Sequence, residues 1–376
     1  MFFGRNLGRS MQMKRRHCCA QLAKLALGLC LAAALLIVLL GRFRSDKTRV
    51  SANVSTGTCG GTQNHSSIQS PSGLENSKLA HGEQSAAEDC DDAAIQTLFP
   101  YIINQADKCR KRLAAPFLVF LITTEAWQVY AREAIRLTWA NETLIPGVSV
   151  VRLFLLGRPG EGQMANRLQR LLRWESQKYQ DLIQQDFLDS YHNLTLKTLM
   201  GLHWVARYCS GASYVMKTDG DMFINTENLV WKLLRPEREP RMNYFTGKVL
   251  RNSSPFRDNS SKWYISTEEY PERTYPPFCS GTGYVFSGDL ARKIYETSRS
   301  MRQMHLEDVH VALCLAKLGL EPSDPPNFFL FNLSRVPARR CEYNRLITSH
   351  GFKPHEIVQY WKMQQRNKAK CTTMGF

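Results

Sequence analysis

A chain of 376 residues with a formal net charge of +16 is long enough to bury a large core in one or two domains. Its basic residues are scattered, and no zinc-finger, basic-zipper or RNA-recognition signature accompanies them, so nucleic acid is set aside as a partner. A basic excess suits a phosphate-bearing substrate or an acidic membrane surface equally well, and composition does not choose between them.

Residues 1–19 carry Arg5, Arg9, Lys14, Arg15 and Arg16 and read as a cytoplasmic tail. Residues 20–41, AQLAKLALGLCLAAALLIVLLG, have no charge from Leu25 to Leu40. A helix of about 22 residues crosses a bilayer, with Lys24 reaching the interface, so this is a transmembrane signal anchor. Arg42, Arg44, Lys47 and Arg49 follow, which makes the charge asymmetry small. A cleaved signal peptide is the rival reading; the long basic leader and an apolar run that continues past 32–34 without a clear cleavage site favour the anchor. Cys18 and Cys19 flank the span, where cysteines are sometimes palmitoylated and more often unmodified.

Residues beyond the span set sidedness better than charge does. Asn53, Asn64, Asn141, Asn193, Asn252, Asn259 and Asn332 each open an Asn-x-Ser/Thr triplet, and none precedes the span. Eight of the eleven cysteines (59, 90, 109, 209, 279, 314, 341 and 371) also lie beyond it, an even number compatible with disulfides in an oxidising lumen. Their pairing stays open.

Residues 42–111 are rich in Ser, Gly, Asn, Gln and Thr and read as a flexible lumenal stem, with a short helix beginning near 94–99. The body, 112–376, opens on FLVFLIT at 117–123, a continuous apolar run of the kind buried on both faces of a parallel sheet. WQVYAREAIRLTW (127–139) has helical spacing, VSVVRLFLL (148–156) is a second buried strand, 163–179 is helical, 182–187 is a short strand and LTLKTLMGLHWVARY (194–208) is a helix. This alternation argues for a Rossmann-like α/β core with a parallel sheet flanked by helices, whose ligands bind at the carboxyl ends of the strands. No Gly-x-Gly-x-x-Gly follows the first strand and no Gly-x-x-x-x-Gly-Lys-Ser/Thr occurs, so neither a nicotinamide or flavin dinucleotide nor a standard phosphate loop is supported.

At 213–226, SYVMKTDGDMFINT sets Asp219 and Asp221 between two apolar strand-like runs. In extended chain, residues two apart face the same side, so both acids address one cleft, and Gly220 lets a ligand come close. A divalent cation between the acids and a diphosphate relieves their repulsion, and Mg²⁺ and Mn²⁺ favour one or two carboxylates plus phosphate oxygens and water. The opposing reading is a solvated turn that ends a strand. Asp89 and Asp91 repeat the pattern in a polar tract, where it is an accident of composition.

Residues 241–284 hold Trp263, Tyr264, Tyr270, Tyr275, Phe278 and Tyr284 among Pro, Ser and Asn. Long aromatic loops suit sugar stacking and suit irregular packing equally. PPFCSGTGY at 276–284 is a stiff turn followed by a glycine-opened backbone. A helix at 289–298 precedes HLEDVH at 305–310 and the helix VALCLAKLGL. Glu307 and Asp308 there are either N-terminal helix partners or, in a cleft, a general base. His350 follows LITS and is either structural or a ligand of the borderline type that Mn²⁺ accepts.

The blocks REAIRLTW (132–139), FLLG (154–157), DFLDSYHNLTLKT (186–198), YVMKTDGD (214–221), YPPFCSGTGY (275–284), EDV (307–309) and LITSH (346–350) together resemble the β1,3-glycosyltransferase family, which includes β1,3-galactosyltransferases and β1,3-N-acetylglucosaminyltransferases. They run in order through about the last two-thirds of the chain. The resemblance implies a type II Golgi membrane enzyme with a GT-A fold, a Rossmann-like mixed sheet flanked by helices, that depends on Mn²⁺, uses a UDP-sugar and inverts the anomeric centre. KTDGDMF and LITSH look most similar to galactosyltransferases that extend terminal N-acetylglucosamine. The sequence departs from the family at Gly220, where Ser or Asp is expected, at Thr282 in place of Gly and at His310 in place of Tyr.

On that basis Asp221, with Asp219 and His350, is expected to hold Mn²⁺ against the UDP diphosphate, and Asp308 to take the proton of the acceptor's 3-hydroxyl, with Glu307 as the fallback base. Arg132 and Arg136, one helical turn apart, are expected to steady the nucleotide, although arginines on a helix surface are ordinary. The expected reaction is transfer of galactose from UDP-galactose to the 3-hydroxyl of a terminal N-acetylglucosamine. The alternatives are an N-acetylglucosaminyltransferase, which differs by few contacts, and a silent glycan-binding relative, which would be free to lose Asp221 or Asp308.

Overall fold

The strand Leu118–Thr123 (β2) is apolar at five consecutive positions and buried at all six, so it can only sit inside a sheet covered on both faces. The computed structural model describes residues 96–339 and 341–372; the expected tail, anchor and stem up to residue 95 lie outside the described residues. Among the described residues no helix is long and apolar enough to cross a membrane.

Parallel to β2 on one side runs Val150–Arg158 (β3), followed outward by Leu182–Leu188 (β4). On the other side lies Tyr214–Asp219 (β5), in a register that sets Thr123 opposite Asp219. Helices Val129–Leu137 (α1), Gln163–Tyr179 (α2) and Leu194–Tyr208 (α3) connect these strands, as the alternating pattern requires. Alternate residues of each strand enter opposite cores. Phe120, Ile122, Phe154 and Met216 pack with Trp139 on one face, and Val119, Leu121, Leu155 and Val215 pack with Trp204 on the other.

The sheet is mixed, as the family resemblance implies, although the alternating strands and helices taken alone argued for a parallel one. Phe278–Ser287 (β8) pairs antiparallel with β5, Phe245–Leu250 (β7) pairs antiparallel with β8, and Tyr101–Ile103 (β1) pairs antiparallel with β4, giving the order β1-β4-β3-β2-β5-β8-β7. Met222–Ile224 (β6) leaves this sheet and pairs with Thr348–His350 (β9). Helices Asp289–Arg299 (α4) and Glu307–Lys317 (α5) follow β8, and Pro354–Thr372 (α6) follows β9.

The boundary expected at residue 112 falls too late. Tyr101 lies opposite Gln185, its hydroxyl meets His203 Nδ1 at 2.9 Å, and Cys109 is disulfide-bonded to Cys209 just beyond α3. Phe99, Tyr101, Ile102 and Ile103 are apolar enough to join the body despite the polar tract before them. Residues 96–100 form no helix; Tyr295 ties this stretch down by donating to the Gln96 carbonyl at 2.7 Å. A second disulfide joins Cys341 to Cys371, while Cys279 and Cys314 are buried free thiols. Cys59 and Cys90 lie outside the described residues.

His310, one of the departures from the family, is fully buried and joins α5 to α4 through Ser298 Oγ, 2.7 Å from its Nε2. Burial pushes its pKa down to about 4, so the folded protein holds it neutral. Since the folded value lies below the ordinary one, this contribution is complete above about pH 6.5 and is lost as pH falls toward 4. Urea unfolding of the parent at pH 7 and pH 5 is expected to show about 2 kcal/mol more loss than in a His310→Gln variant, whose other titrating groups are shared. Equal losses in the two proteins would show that His310 does not titrate on unfolding.

Candidate active site

Lys217 lies two residues before Asp219 in β5 and is 1% exposed. Its ammonium donates to Asp219 Oδ1 at 3.1 Å, to the Gly281 carbonyl at 2.6 Å and to Glu307 Oε2 at 3.1 Å. Thr123 at the end of β2 donates to the same Asp219 oxygen at 2.8 Å, and the Tyr284 hydroxyl donates to Glu307 Oε1 at 2.5 Å. Burial alone would lower the lysine's pKa; the charges of Asp219 and Glu307 outweigh it and hold the value well above the usual one. Burial pushes Glu307 up, and Lys217 opposes that shift. One buried cation therefore binds the strand carrying the Asp-Gly-Asp acids to the helix carrying Glu307 and Asp308.

Asp221 lies just past the end of β5, where the chain turns into β6. Its backbone carbonyl accepts from Gly351 and Phe352 at 3.1 and 2.8 Å, and the β6–β9 pairing brings His350 beside it, Nε2 to Oδ2 at 3.1 Å. His350 Nδ1 meets the Leu333 carbonyl at 3.0 Å, which fixes the ring and aims Nε2 at the carboxylate. The hydrogen bond to Asp221 raises the imidazole's pKa. Both side chains remain partly open to solvent. The glycine between the acids has a local cause: a Cβ at Gly220 would stand 2.8 Å from Thr124 Cγ2 and 3.1 Å from the Thr123 carbonyl, so this loop lies flat on the end of β2.

Among the described residues no group of three or more His, Cys, Asp or Glu side chains converges as a ready metal cage. Asp221 and His350 face one another, whereas an Asp219 oxygen is taken by Thr123 and Lys217. The donor set nevertheless fits Mn²⁺, since one carboxylate and one imidazole suffice when diphosphate oxygens and water complete the shell.

Asp308 sits in the first turn of α5. Its Oδ2 accepts from the Gly281 N–H and its Oδ1 from the Val309 N–H, both at 3.0 Å. Burial raises its pKa and the Gly281 N–H opposes the rise. A Cβ at Gly281 would crowd both acids, 3.0 Å from Glu307 Oε2 and 3.4 Å from Asp308 Oδ2. Glu307, the fallback base, is buried and saturated by Lys217 and Tyr284, so Asp308 is the acid better placed to meet a substrate.

The two arginines are elsewhere, and their expected contact with a nucleotide needs correction. Arg132 is 0% exposed and forks onto Glu175 at 2.8 and 2.7 Å, with a further bond to the Glu125 carbonyl. Arg136 forks onto Asp181 at 2.8 Å and also meets Glu175 at 2.7 Å. Their shared helical face points inward, where they pin α1 to α2 and to the start of β4. Sequence reasoning missed Lys217 and Tyr284. Lys217 was findable, since the two-residue strand period puts it on the same side as Asp219; Tyr284 needed the β5–β8 register, which sets it opposite Lys217.

A profile described as Galactosyltransferase matches residues 130–326, a span that contains Lys217, Asp219, Asp221, Glu307 and Asp308, with His350 beyond it. A second, the beta-1,3-galactosyltransferase 2 N-terminus, matches residues 43–119. The chain is 54% identical over 270 residues to beta-1,3-galactosyltransferase 2 of Mus musculus, covering 72% of this chain and 63% of that relative, somewhat less than two-thirds of its length. It is 48% identical over 274 residues to beta-1,3-galactosyltransferase 1 of Mus musculus, covering 73% of this chain and 81% of that one. Among solved structures, a galactosyltransferase in complex with donor and acceptor sugar analogs aligns with 13% identity over 68% of this chain and 95% of that one at a TM-score of 0.32, a likeness too slight to carry an argument. The profile spans more than half of the chain and near-half identity extends over most of the body, so the chain belongs to the galactosyltransferase family, alongside the beta-1,3-galactosyltransferases.

Proposed function

We propose that the chain transfers galactose from UDP-galactose to the 3-hydroxyl of a terminal N-acetylglucosamine on a glycoprotein or glycolipid glycan, with inversion at the anomeric carbon, on a GT-A type scaffold. It works in the Golgi lumen, held in the membrane by residues 20–41 as a single-pass type II protein. The observation that supports this reading is the Lys217 bridge: Asp219 and Glu307, each close in sequence to one of the proposed working acids, share one ammonium.

In this reading Asp221 and His350 would hold Mn²⁺, which when bound offsets the negative charge that collects on the departing UDP. Asp308 accepts the proton of the acceptor's 3-hydroxyl as that oxygen attacks the anomeric carbon from the face opposite the nucleotide. A bond from the acceptor oxygen to the anomeric carbon forms, the bond to the phosphate oxygen breaks, and its electron pair leaves with UDP. Lys217 holds Asp219 and Glu307 in place through its hydrogen bonds without entering the reaction.

The deciding experiment incubates the chain with Mn²⁺, a panel of UDP-sugars and N-acetylglucosamine acceptors. A secreted form has to begin upstream of residue 96, because β1 and Cys109 belong to the body. Turnover of UDP-N-acetylglucosamine and not of UDP-galactose would move the donor assignment to the other branch. Asp308→Asn is expected to lower kcat by about 10³-fold with UDP affinity unchanged; full turnover in this variant would place the base elsewhere. Asp221→Ala is expected to abolish metal-dependent UDP binding in calorimetry, and activity that survives both this change and a chelator would remove the metal from the scheme. Lys217→Met leaves Glu307 buried without its counter-charge, and its urea midpoint should report a loss of roughly 3–5 kcal/mol; a loss below 1 kcal/mol would make the bridge incidental.

A further inference from the structure

The loop between β7 and β8 sorts its aromatic residues into two groups. Tyr270, Tyr275 and Phe278 are buried with Ile265, Met304 and Val309 as a small core against α5. Arg257 fixes the loop from within, donating to the carbonyls of Ile265 and Ser266 at 2.8 Å, of Tyr270 at 2.6 Å and of Glu272 at 3.2 Å. On this fixed base Phe256 and Trp263 stay 50% and 44% exposed, with ring centroids 5.3 Å apart. Side chains held rigid and left in water are not there for the core.

Tyr191, 42% exposed, extends this pair toward the acids. The Lys262 ammonium lies between Tyr191 and Trp263, 5.7 Å from the Tyr191 ring centroid and 4.7 Å from that of Trp263. The turn Tyr191–Asn193 is held against the segment leading into Asp308. The His192 and His305 rings are 5.3 Å apart, and Thr195 Oγ1 donates to the Met304 carbonyl at 2.6 Å. Asp308 and Asp219 both act on the Tyr191 hydroxyl through their charge. The aromatic row therefore starts beside the base and runs away from the cleft.

We propose that Tyr191, Trp263 and Phe256 form a stacking subsite for the second sugar of the acceptor, the ring immediately behind the one whose hydroxyl Asp308 deprotonates. The assignment rests on the reading of Asp308 as the base for a glycan acceptor. A pyranose presents C–H groups on its faces and hydroxyls at its rim, which suits aromatic planes with a cation at their edge. The Phe256 and Trp263 rings, with centroids 5.3 Å apart, offer a surface about one sugar unit long on the far side of Lys262 from Tyr191, which suits a ring beyond the terminal one. The ligand class is a neutral, N-acetylglucosamine-terminated di- or oligosaccharide.

The test uses the full-length chain and compares kcat/KM for N-acetylglucosamine with that for an N-acetylglucosamine-terminated disaccharide. The parent is expected to prefer the disaccharide, and Trp263→Ala to cut that preference about 10-fold through a raised KM for the disaccharide. Trp263→Phe should restore part of it. A merely structural role for Trp263 would slow both acceptors alike, and an unchanged ratio in both Trp263→Ala and Phe256→Ala overturns the proposal. A second readout does not need transfer: ligand-observed NMR of the disaccharide with protein, Mn²⁺ and UDP. Binding to the parent that Trp263→Ala abolishes upholds the subsite even where no UDP-sugar turns over, in which case only the transferase reading falls. Equal affinity of the parent for monosaccharide and disaccharide overturns the subsite itself.

Discussion

The arrangement of this molecule depends on one buried ammonium. Lys217 is surrounded by Asp219, Glu307 and the Gly281 carbonyl, and no apolar residue of similar size could take its place without leaving the buried Glu307 carboxylate stripped of its counter-charge. The bridge joins segments about ninety residues apart and converts two local features, an acidic strand end and an acidic helix start, into one site. It also divides labour within each acid pair. Asp219 and Glu307 are held by the lysine, while Asp221 and Asp308, close to them in sequence, stay outside its reach and keep partners of their own in His350 and the Gly281 N–H.

The sheet supplies the geometry that makes this possible. Four parallel strands, β4-β3-β2-β5, put their carboxyl ends on one edge, so Thr123 and Asp219 arrive side by side. The antiparallel β8 then enters beside β5 from the opposite direction and carries Gly281 and Tyr284 back to the same edge. Without that reversal the α5 helix would begin at the wrong end of the sheet. The small β6–β9 sheet performs the equivalent service for His350, which comes from a distant segment to stand against Asp221.

Much of this was legible in the residues, and the exceptions have physical reasons. Continuous apolar runs gave β2, β3 and β5, and helical spacing gave α1 to α5 nearly to their ends, because burial on a given period dictates those elements locally. The antiparallel strands were not legible, since strand direction is set by partners far away in sequence. β1 hid in a polar stretch because only three residues of it pair. Arg132 and Arg136 misled for a similar reason: their spacing gives a shared face, but only Glu175 and Asp181, more than forty residues on, decide that this face looks inward. In the aromatic loop, composition left sugar stacking and irregular packing equally open; which rings are buried is decided by Arg257 and the contacts with α5.

The 30-residue ring closed by Cys341 and Cys371 encloses β9 and therefore His350. In the order of synthesis, Lys217, Asp219, Glu307 and Asp308 all precede it, and N-terminal portions of a chain fold ahead of later ones. The frame around Lys217 is thus assembled first, and the contact of His350 with Asp221 is made afterwards, inside a ring closed by a covalent bond that forms only under oxidising conditions. A newly made chain would then complete this acid–imidazole pair last, in step with the oxidation of its own thiols.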